Sequence, residues 1–159
     1  MIRRAEIKDI GRLNELLFQI QAIHAGARPD IFKIGAKKYT DDELAAIIAD
    51  DDTPIFVLEI DGAVAGYAFC VYKLTEENDQ LQRRKVLYLD DLCVDSHYRR
   101  QGVGTQLYKY VLKTAEENGC DSVTLNVWRV NDEARRFYEK MGMEPLKTMM
   151  ETRLRQDKV

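Results

Sequence analysis

Three extended segments follow one another with no helix between them, and this run constrains the fold more than any other feature of the chain. Pro54 opens the first, Ile55 to Ile60. Asp61-Gly62 is a strong hairpin turn signal, and Ala63 to about Leu74 is the return strand, with Tyr67, Phe69 and Val71 on one face. A polar loop, Thr75 to Arg84, leads to the third, Val86 to Val94. The pattern then alternates. A helix with the apolar stripe Val103, Leu107, Val111 and Ala115 ends at Asn118-Gly119. Ser122 to Trp128 reads as a strand. Asn131 can cap a helix carrying Ala134, Phe137, Tyr138 and Met141, which Gly142 stops. Leu146 to Leu154 reads as a final strand of weak alternation, because Met149 and Met150 are adjacent.

Ahead of the three strands, residues 2–7 are extended. From Asp9, a candidate N-cap, Ile10, Leu13, Leu17 and Ile20 recur at helical spacing to about Ala25. Gly26 and Arg28-Pro29-Asp30 break that helix. After a loop, Thr40-Asp41-Asp42-Glu43 forms a capping box for a short helix with Leu44, Ile47 and Ile48. The order β-α-α-β-β-β-α-β-α-β predicts an α/β chain of mixed α+β character, a mixed sheet covered by helices. Residues 1–155 read as a single domain and residues 156–159 as a polar tail.

The chain has 159 residues, 45% hydrophobic and 32% charged, an ordinary globular balance for one core. Its net charge of −3 gives no basic excess, which argues against nucleic acid as a bulk partner. No apolar window approaches a membrane span, and the N-terminus has no apolar leader, so a cytoplasmic protein without a membrane partner is expected. Cys70, Cys93 and Cys120 are odd in number and lack CxxC spacing, so neither a disulfide framework nor a metal site is expected.

The sharpest chemical feature is Tyr98-Arg99-Arg100-Gln101-Gly102-Val103-Gly104-Thr105, between a strand and a well-formed helix. Its glycines let backbone approach a ligand, and the first amides of the helix lack intrahelical acceptors. Such a junction suits a phosphate or pyrophosphate, with Arg99 and Arg100 adding charge. It matches neither of the common nucleotide-binding loops. A turn that merely starts a helix is the structural alternative.

Arg99-Arg100-Gln101-Gly102-Val103-Gly104 resembles the R-x-x-G-x-G signature of the GNAT N-acetyltransferases, which bind acetyl-coenzyme A. Asn131 to Gly142 is similar to that family's N-x-x-A-x-x-x-Y-x-x-x-G helix. The element order agrees over nearly the whole chain. The resemblance implies the GNAT fold: a central mixed, mostly antiparallel sheet of six to seven strands with about four helices. It implies acetyl-CoA as co-substrate and no metal. Backbone amides of residues 100–105 would hold the pyrophosphate, beside Arg99. Leu92, Cys93 and Val94 would pair by main chain with the pantetheine arm, with Asn131 supporting it. Tyr138 would lie beside the sulfur, where a phenol can serve a departing thiolate. An oxyanion needs a backbone N–H, here near Cys93 or Val94. Direct attack by an amine requires no acyl-enzyme, so Cys93 as nucleophile is a minor alternative.

The acceptor amine must lose a proton. Asp90 and Asp91 offer carboxylates in an apolar strand, and neighbours on a strand face opposite sides. The segment resembles one in spermidine/spermine acetyltransferases, where an acidic residue at the Asp90 position lies by the amine. Asp90 is therefore the expected base or anchor, and Asp91 the competing one. Enzymes acetylating ribosomal-protein N-termini resemble L-E-V-R where this chain has Asn126, which weakens that reading. Trp128 is expected in the core. Acceptor choice in the family resembles a property of the first helix pair, here containing His24, Arg28 and Asp30. His24 also continues an apolar helix register, as a packed histidine would.

The expected acceptor is a small-molecule amine: a polyamine, an amino acid derivative or an aminoglycoside. A protein N-terminus or lysine is the alternative, and a non-catalytic acyl-CoA-binding regulator the third reading. Small members of the family resemble dimers, and the final strand, with Met149 and Met150 on opposite faces, points to a homodimer.

Overall fold

The computed structural model describes residues 1–155; the polar tail read at 156–159 lies outside the described residues. The elements are β1 (Ile2–Arg4), α1 (Ile10–Ala27), α2 (Asp41–Ala49), β2 (Ile55–Ile60), β3 (Ala63–Thr75), β4 (Arg84–Val94), α3 (Val103–Glu117), β5 (Ser122–Thr124) and α4 (Asp132–Lys140). The sheet runs in chain order, β1-β2-β3-β4-β5. Its first three pairings are antiparallel and β4–β5 is parallel. The hairpin falls where Asp61-Gly62 places it, both residues at positive φ. Thr40 Oγ1 accepts from the Glu43 amide at 3.1 Å, so the capping box forms as read.

Strands β2 to β4 are buried on both faces. One face carries Ile55, Val57, Tyr67, Phe69 and Cys93 against Leu13, Leu16 and Leu17 of α1 and Leu44 of α2. The other carries Phe56, Leu58, Ala65, Ala68, Cys70, Leu87 and Leu89 against the α3 stripe Val103, Leu107, Val111 and Ala115. Gly66 is where β3, β4 and α3 meet: a Cβ there would lie 2.7 Å from the Cys93 carbonyl oxygen and 3.0 Å from Val103 Cγ1.

Several expectations are corrected. The sheet has five strands among the described residues, not six to seven. Residues 146–154 form no strand; Leu146, Met149, Met150 and Leu154 are 67%, 97%, 84% and 92% exposed. Their sequence lacks the alternation that would give one face to a core, and Met149 and Met150 are therefore not covered from either side. Strand β5 stops at Thr124 rather than Trp128. Helix α1 runs on to Ala27, and Asp9 does not cap it. The Asp9 carboxylate instead accepts from the Glu6 amide at 2.7 Å and from both terminal nitrogens of Arg3, at 2.8 and 3.0 Å. Arg3 also donates to Glu59 at 2.6 Å, tying β1 to β2 and to the start of α1.

Candidate active site

In the β3–β4 register, Phe69 faces Asp91 and Cys70 faces Leu89, so Asp90 is an extra residue in β4 without a partner. A bulge of this kind breaks the alternation of faces. Asp90 and Asp91 consequently do not diverge to opposite sides as expected. Both carboxylates act on Lys38 and Tyr39 from the loop before α2, and Lys38 Nζ lies 3.7 Å from Asp90 Oδ2. Asp90 is exposed and Asp91 half-buried. Tyr67 Oη donates to Asp91 Oδ2 at 2.7 Å. Burial pushes the Asp91 carboxyl up from its ordinary value, against the Tyr67 hydrogen bond and the Lys38 charge, which pull it down. Burial alone would lower the Lys38 ammonium, but Asp91, Tyr39 and Asp90 outweigh it, and Lys38 is held charged.

An aromatic group adjoins Asp91 and Lys38 through His24. The His24 ring centroid is 5.0 Å from that of Phe32, and Phe32 meets Trp128 edge-on at 5.2 Å. Burial pushes His24 down, opposed by the nearby Asp91 charge. Trp128 is not in the core: it is 42% exposed. Because β5 ends at Thr124, residues 125–128 leave the sheet and carry the indole out to Phe32. Asn126 Nδ2 donates to Tyr88 Oη at 3.0 Å. From α4, Tyr138 packs against Phe137 and Tyr108, centroids 5.2 and 5.9 Å apart. Burial, and then the Asp91 charge, push the Tyr138 phenol up, so it keeps its proton at neutral pH.

The β4–β5 ladder stops at Tyr88↔Thr124. Beyond it, β4 is paired on its β3 side alone, and Leu92, Cys93 and Val94 lie on this opened edge. The chain then turns at Asp95, whose buried carboxylate accepts from the His97 amide at 2.8 Å and is gripped by Arg12 of α1. The following loop bends through Arg100 (φ +64°) and Gly102 (φ +76°). Where α2 and α4 begin with a capping side chain, α3 has none. Its first backbone bond runs from the Gln106 amide to the Gly102 carbonyl, 3.0 Å, so the amides of Val103, Gly104 and Thr105 precede the helical ladder. Arg99, Arg100 and Gln101 are exposed beside them, while the Val103 side chain is core. A Cβ on Gly104 would make ordinary 3.6 Å contacts with Phe137 and Val94, so the protein's own packing does not demand glycine there. An uncapped helix start, a backbone nest and flanking arginines fit a pyrophosphate.

Asn131 caps α4, its Oδ1 accepting from the Ala134 amide at 3.2 Å. Cys93 is buried, its thiol donates to the Leu16 carbonyl at 3.8 Å, and burial pushes it up to about 12; a thiol so placed is no nucleophile. Arg28 and Asp30 do not join the carboxylate pair. Arg28 donates to Asp30 at 2.7 and 2.8 Å and to Glu151 at 3.1 Å, Arg153 lies 3.4 Å from Asp30, and Arg28 draws Asp30 down to about 2. These ion pairs hold the C-terminal segment at the end of α1. A separate groove of about 1080 Å³ is lined by Arg12, Phe18, Gly35, Lys38, Asp95 and Tyr98 among others.

Sequence reasoning did not single out Tyr67, Lys38, Tyr39 or the Arg12–Asp95 pair. Tyr67 sits at an inward strand position, where it reads as core. The signal that could have found it is the carboxylate pair itself, since a carboxylate drawn into an apolar strand needs a donor from the neighbouring strand.

The family model described as the acetyltransferase (GNAT) family matches residues 19–143. N-alpha-acetyltransferase 50 of Danio rerio is 29% identical over 143 residues, 89% of this chain and 71% of that protein. An uncharacterized N-acetyltransferase of Lactobacillus delbrueckii subsp. lactis is 27% identical over 118 residues, 72% of this chain and 65% of its own length. Among solved structures, a mutant of the BH1408 protein from Bacillus halodurans superposes with a TM-score of 0.93 at 26% identity, covering 97% of this chain and 99% of that one. An aminoglycoside N-acetyltransferase, AAC(6')-Iy, in complex with CoA shares the fold at a TM-score of 0.70 and 18% identity, covering 96% and 98% of the two chains.

Proposed function

The chain belongs to the GNAT acetyltransferase family, and from that premise we propose that it transfers the acetyl group of acetyl-CoA directly to a cationic primary amine. The observation that carries this reading is the bulge in β4. It turns two adjacent carboxylates toward Lys38, and one of them, Asp91, is within electrostatic reach of the Tyr138 phenol, beside the opened edge of β4. Acetyl-CoA supplies a thioester activated toward an amine. The uncapped start of α3 and Arg99–Arg100 receive its pyrophosphate, and the main chain of Leu92, Cys93 and Val94 receives its pantetheine arm. Asp90, at the surface, draws in the ammonium; Asp91, fixed by Tyr67, takes its proton. A backbone N–H near Cys93 or Val94 faces the oxyanion, and Tyr138 donates to the departing sulfur.

The acceptor this geometry fits is a small amine: two carboxylates meet the ammonium, and His24, Phe32 and Trp128 offer a wall to the carbon skeleton. The zebrafish relative, by its name an N-alpha-acetyltransferase, favours a second reading, a peptide N-terminus. Thiol release from acetyl-CoA decides between them, measured with polyamines, aminoglycosides, amino acid derivatives and N-terminal peptides. The small-amine reading expects kcat/KM at least about 10-fold higher for one small amine than for any peptide, a difference of ~1.4 kcal/mol. The reverse order supports the peptide reading. Binding of acetyl-CoA with no thiol release from any amine overturns both in favour of a non-catalytic acyl-CoA-binding protein.

A further inference from the structure

A lysine of the chain itself occupies the place assigned to the acceptor's ammonium. Lys38 Nζ is 3.7 Å from Asp90 Oδ2, and it is the cation whose charge bears on Asp91 most strongly. The loop that carries it is anchored immediately after the reactive group. Tyr39 stacks on Phe69 of β3, ring centroids 6.1 Å apart, and Thr40 is locked in the α2 cap. Lys38 Nζ also lies 5.4 Å from the centre of the Tyr39 ring. Lys37, one residue earlier, points elsewhere and pairs with Asp41 at 3.0 Å.

We propose that Lys38 is a self-acetylation site: its ε-amine, already on the carboxylate pair, accepts acetyl from the acetyl-CoA bound by its own chain. The inference rests on the acetyltransferase reading above. In the step, the Lys38 ammonium gives one proton to Asp91. The neutral nitrogen attacks the thioester carbonyl carbon, and a C–N bond forms as the C–S bond breaks. The sulfur leaves with the Tyr138 proton, and the nitrogen's second proton returns to Tyr138 through solvent. The products are Nε-acetyl-Lys38, free CoA thiol and one released proton. The modified side chain has no charge, so its pairing with Asp90 ends.

The test incubates the full-length protein with acetyl-CoA and no added amine, and follows each lysine by peptide mass spectrometry. A group held in the site reacts as if intramolecular. The expected result is acetylation of Lys38 at least about 10-fold faster than of Lys33 or Lys37, with an unchanged fractional rate over roughly 100-fold dilution of the protein. Tyr138→Phe slows it about 10-fold or more, as it slows transfer to a free amine. Lys38→Arg removes the fast site without creating another. Modification of Lys38 no faster than of Lys33 and Lys37, a fractional rate that rises with protein concentration, or a rate indifferent to Tyr138→Phe overturns the proposal. Thiol release with the amine panel runs in parallel. Transfer to a free amine with Lys38 unmodified defeats this inference alone, whereas failure of both reactions defeats the acetyltransferase reading with it.

Discussion

Asp90 and Asp91 are chemically identical and adjacent, yet their surroundings differ. Asp90 is exposed and meets Lys38; Asp91 holds a hydrogen bond from Tyr67 and is raised by burial. A raised carboxyl is the better proton acceptor, and on that ground we propose Asp91, held by Tyr67, as the base in place of Asp90. Asp91→Asn is expected to lower kcat by about 100-fold or more, and Asp90→Asn to act mainly on KM, by about 10-fold. The pH profile separates the two roles. In the unaltered enzyme kcat/KM falls as pH drops through the Asp91 value, which burial holds above the ordinary 3.8; that limb disappears in Asp91→Asn and survives in Asp90→Asn. Equal profiles in the two variants would show that Asp91 is only a hydrogen-bond partner of Tyr67. Tyr138→Phe keeps the ring against Phe137 and Tyr108 and removes the proposed acid alone. It is expected to cost roughly 10- to 1000-fold in turnover with acetyl-CoA affinity unchanged, measured where chemistry limits the rate.

At the scale of elements, two glycines serve different needs. Gly102 adopts φ +76° at the uncapped start of α3, and Gly104 lies in its first turn, where a Cβ would make ordinary contacts with Phe137 and Val94. Gly102→Val with Gly104→Val should abolish the rise in Tm on adding acetyl-CoA, about 2.7 kcal/mol of stabilisation at 100 times Kd, while circular dichroism remains native. A folded double variant that still shows the full rise would remove the pyrophosphate from this loop. Gly66 instead allows close packing. Its replacement by Ala forces a Cβ to within 2.7 Å of the Cys93 carbonyl oxygen, a backbone atom that cannot swing away. Gly66→Ala is expected to cost about 1–3 kcal/mol and to lower Tm by roughly 2–10 °C. A variant as stable as the parent would show that β3 and β4 can separate there freely.

For the molecule as a whole, buried and half-buried ion pairs join the elements that surround the site. Asp95 is 3% exposed and ends β4; Arg12 reaches it from α1 and also donates to the Val64 carbonyl at 3.1 Å. Burial would raise the Asp95 carboxyl, but the His97 amide and Arg12 together hold it well below the carboxylate range. A carboxylate lower in the folded state stabilises above its unfolded value, near 3.8, and loses that stabilisation as pH falls through the folded value. Asp95→Ala is therefore expected to cost about 2–4 kcal/mol at pH 7, less than a fully buried pair because Arg12 keeps some water. In chemical denaturation series the deficit should shrink as pH falls below 4; a deficit independent of pH would mean lost packing rather than lost charge. The exposed Leu146, Met149, Met150 and Leu154 lie on one continuous segment. These four exposed apolar side chains, set among Lys147, Glu151 and Arg153, are the ground on which we propose a homodimer. Light scattering at micromolar concentration is expected to give twice 18.4 kDa, and a monomer mass would sink the dimer.

What the sequence by itself determined is what local chemistry determines. The Asp61-Gly62 hairpin, the Thr40 and Asn131 caps, the α3 stripe and the glycine-bearing loop ahead of it each depend on residues a few positions apart, so they are legible in order along the chain. The order in turn reads out a mixed sheet, and the Arg99–Gly104 and Asn131–Gly142 motifs the family. What only the tertiary structure decided depends on partners far apart in the chain. That Asp90 is a bulge is a property of β4's register against β3, not of either strand alone. Tyr67 meets Asp91 across that register, 24 positions away. Lys38 reaches the pair because Tyr39 is stacked on Phe69, and Trp128 lies outside the core because β5 stops at Thr124. The C-terminal segment has the composition of a strand, but a strand needs a partner to take up its backbone hydrogen bonds. None of the described strands supplies one, and its fixed contacts are the ion pairs of Arg28 and Asp30 with Glu151 and Arg153.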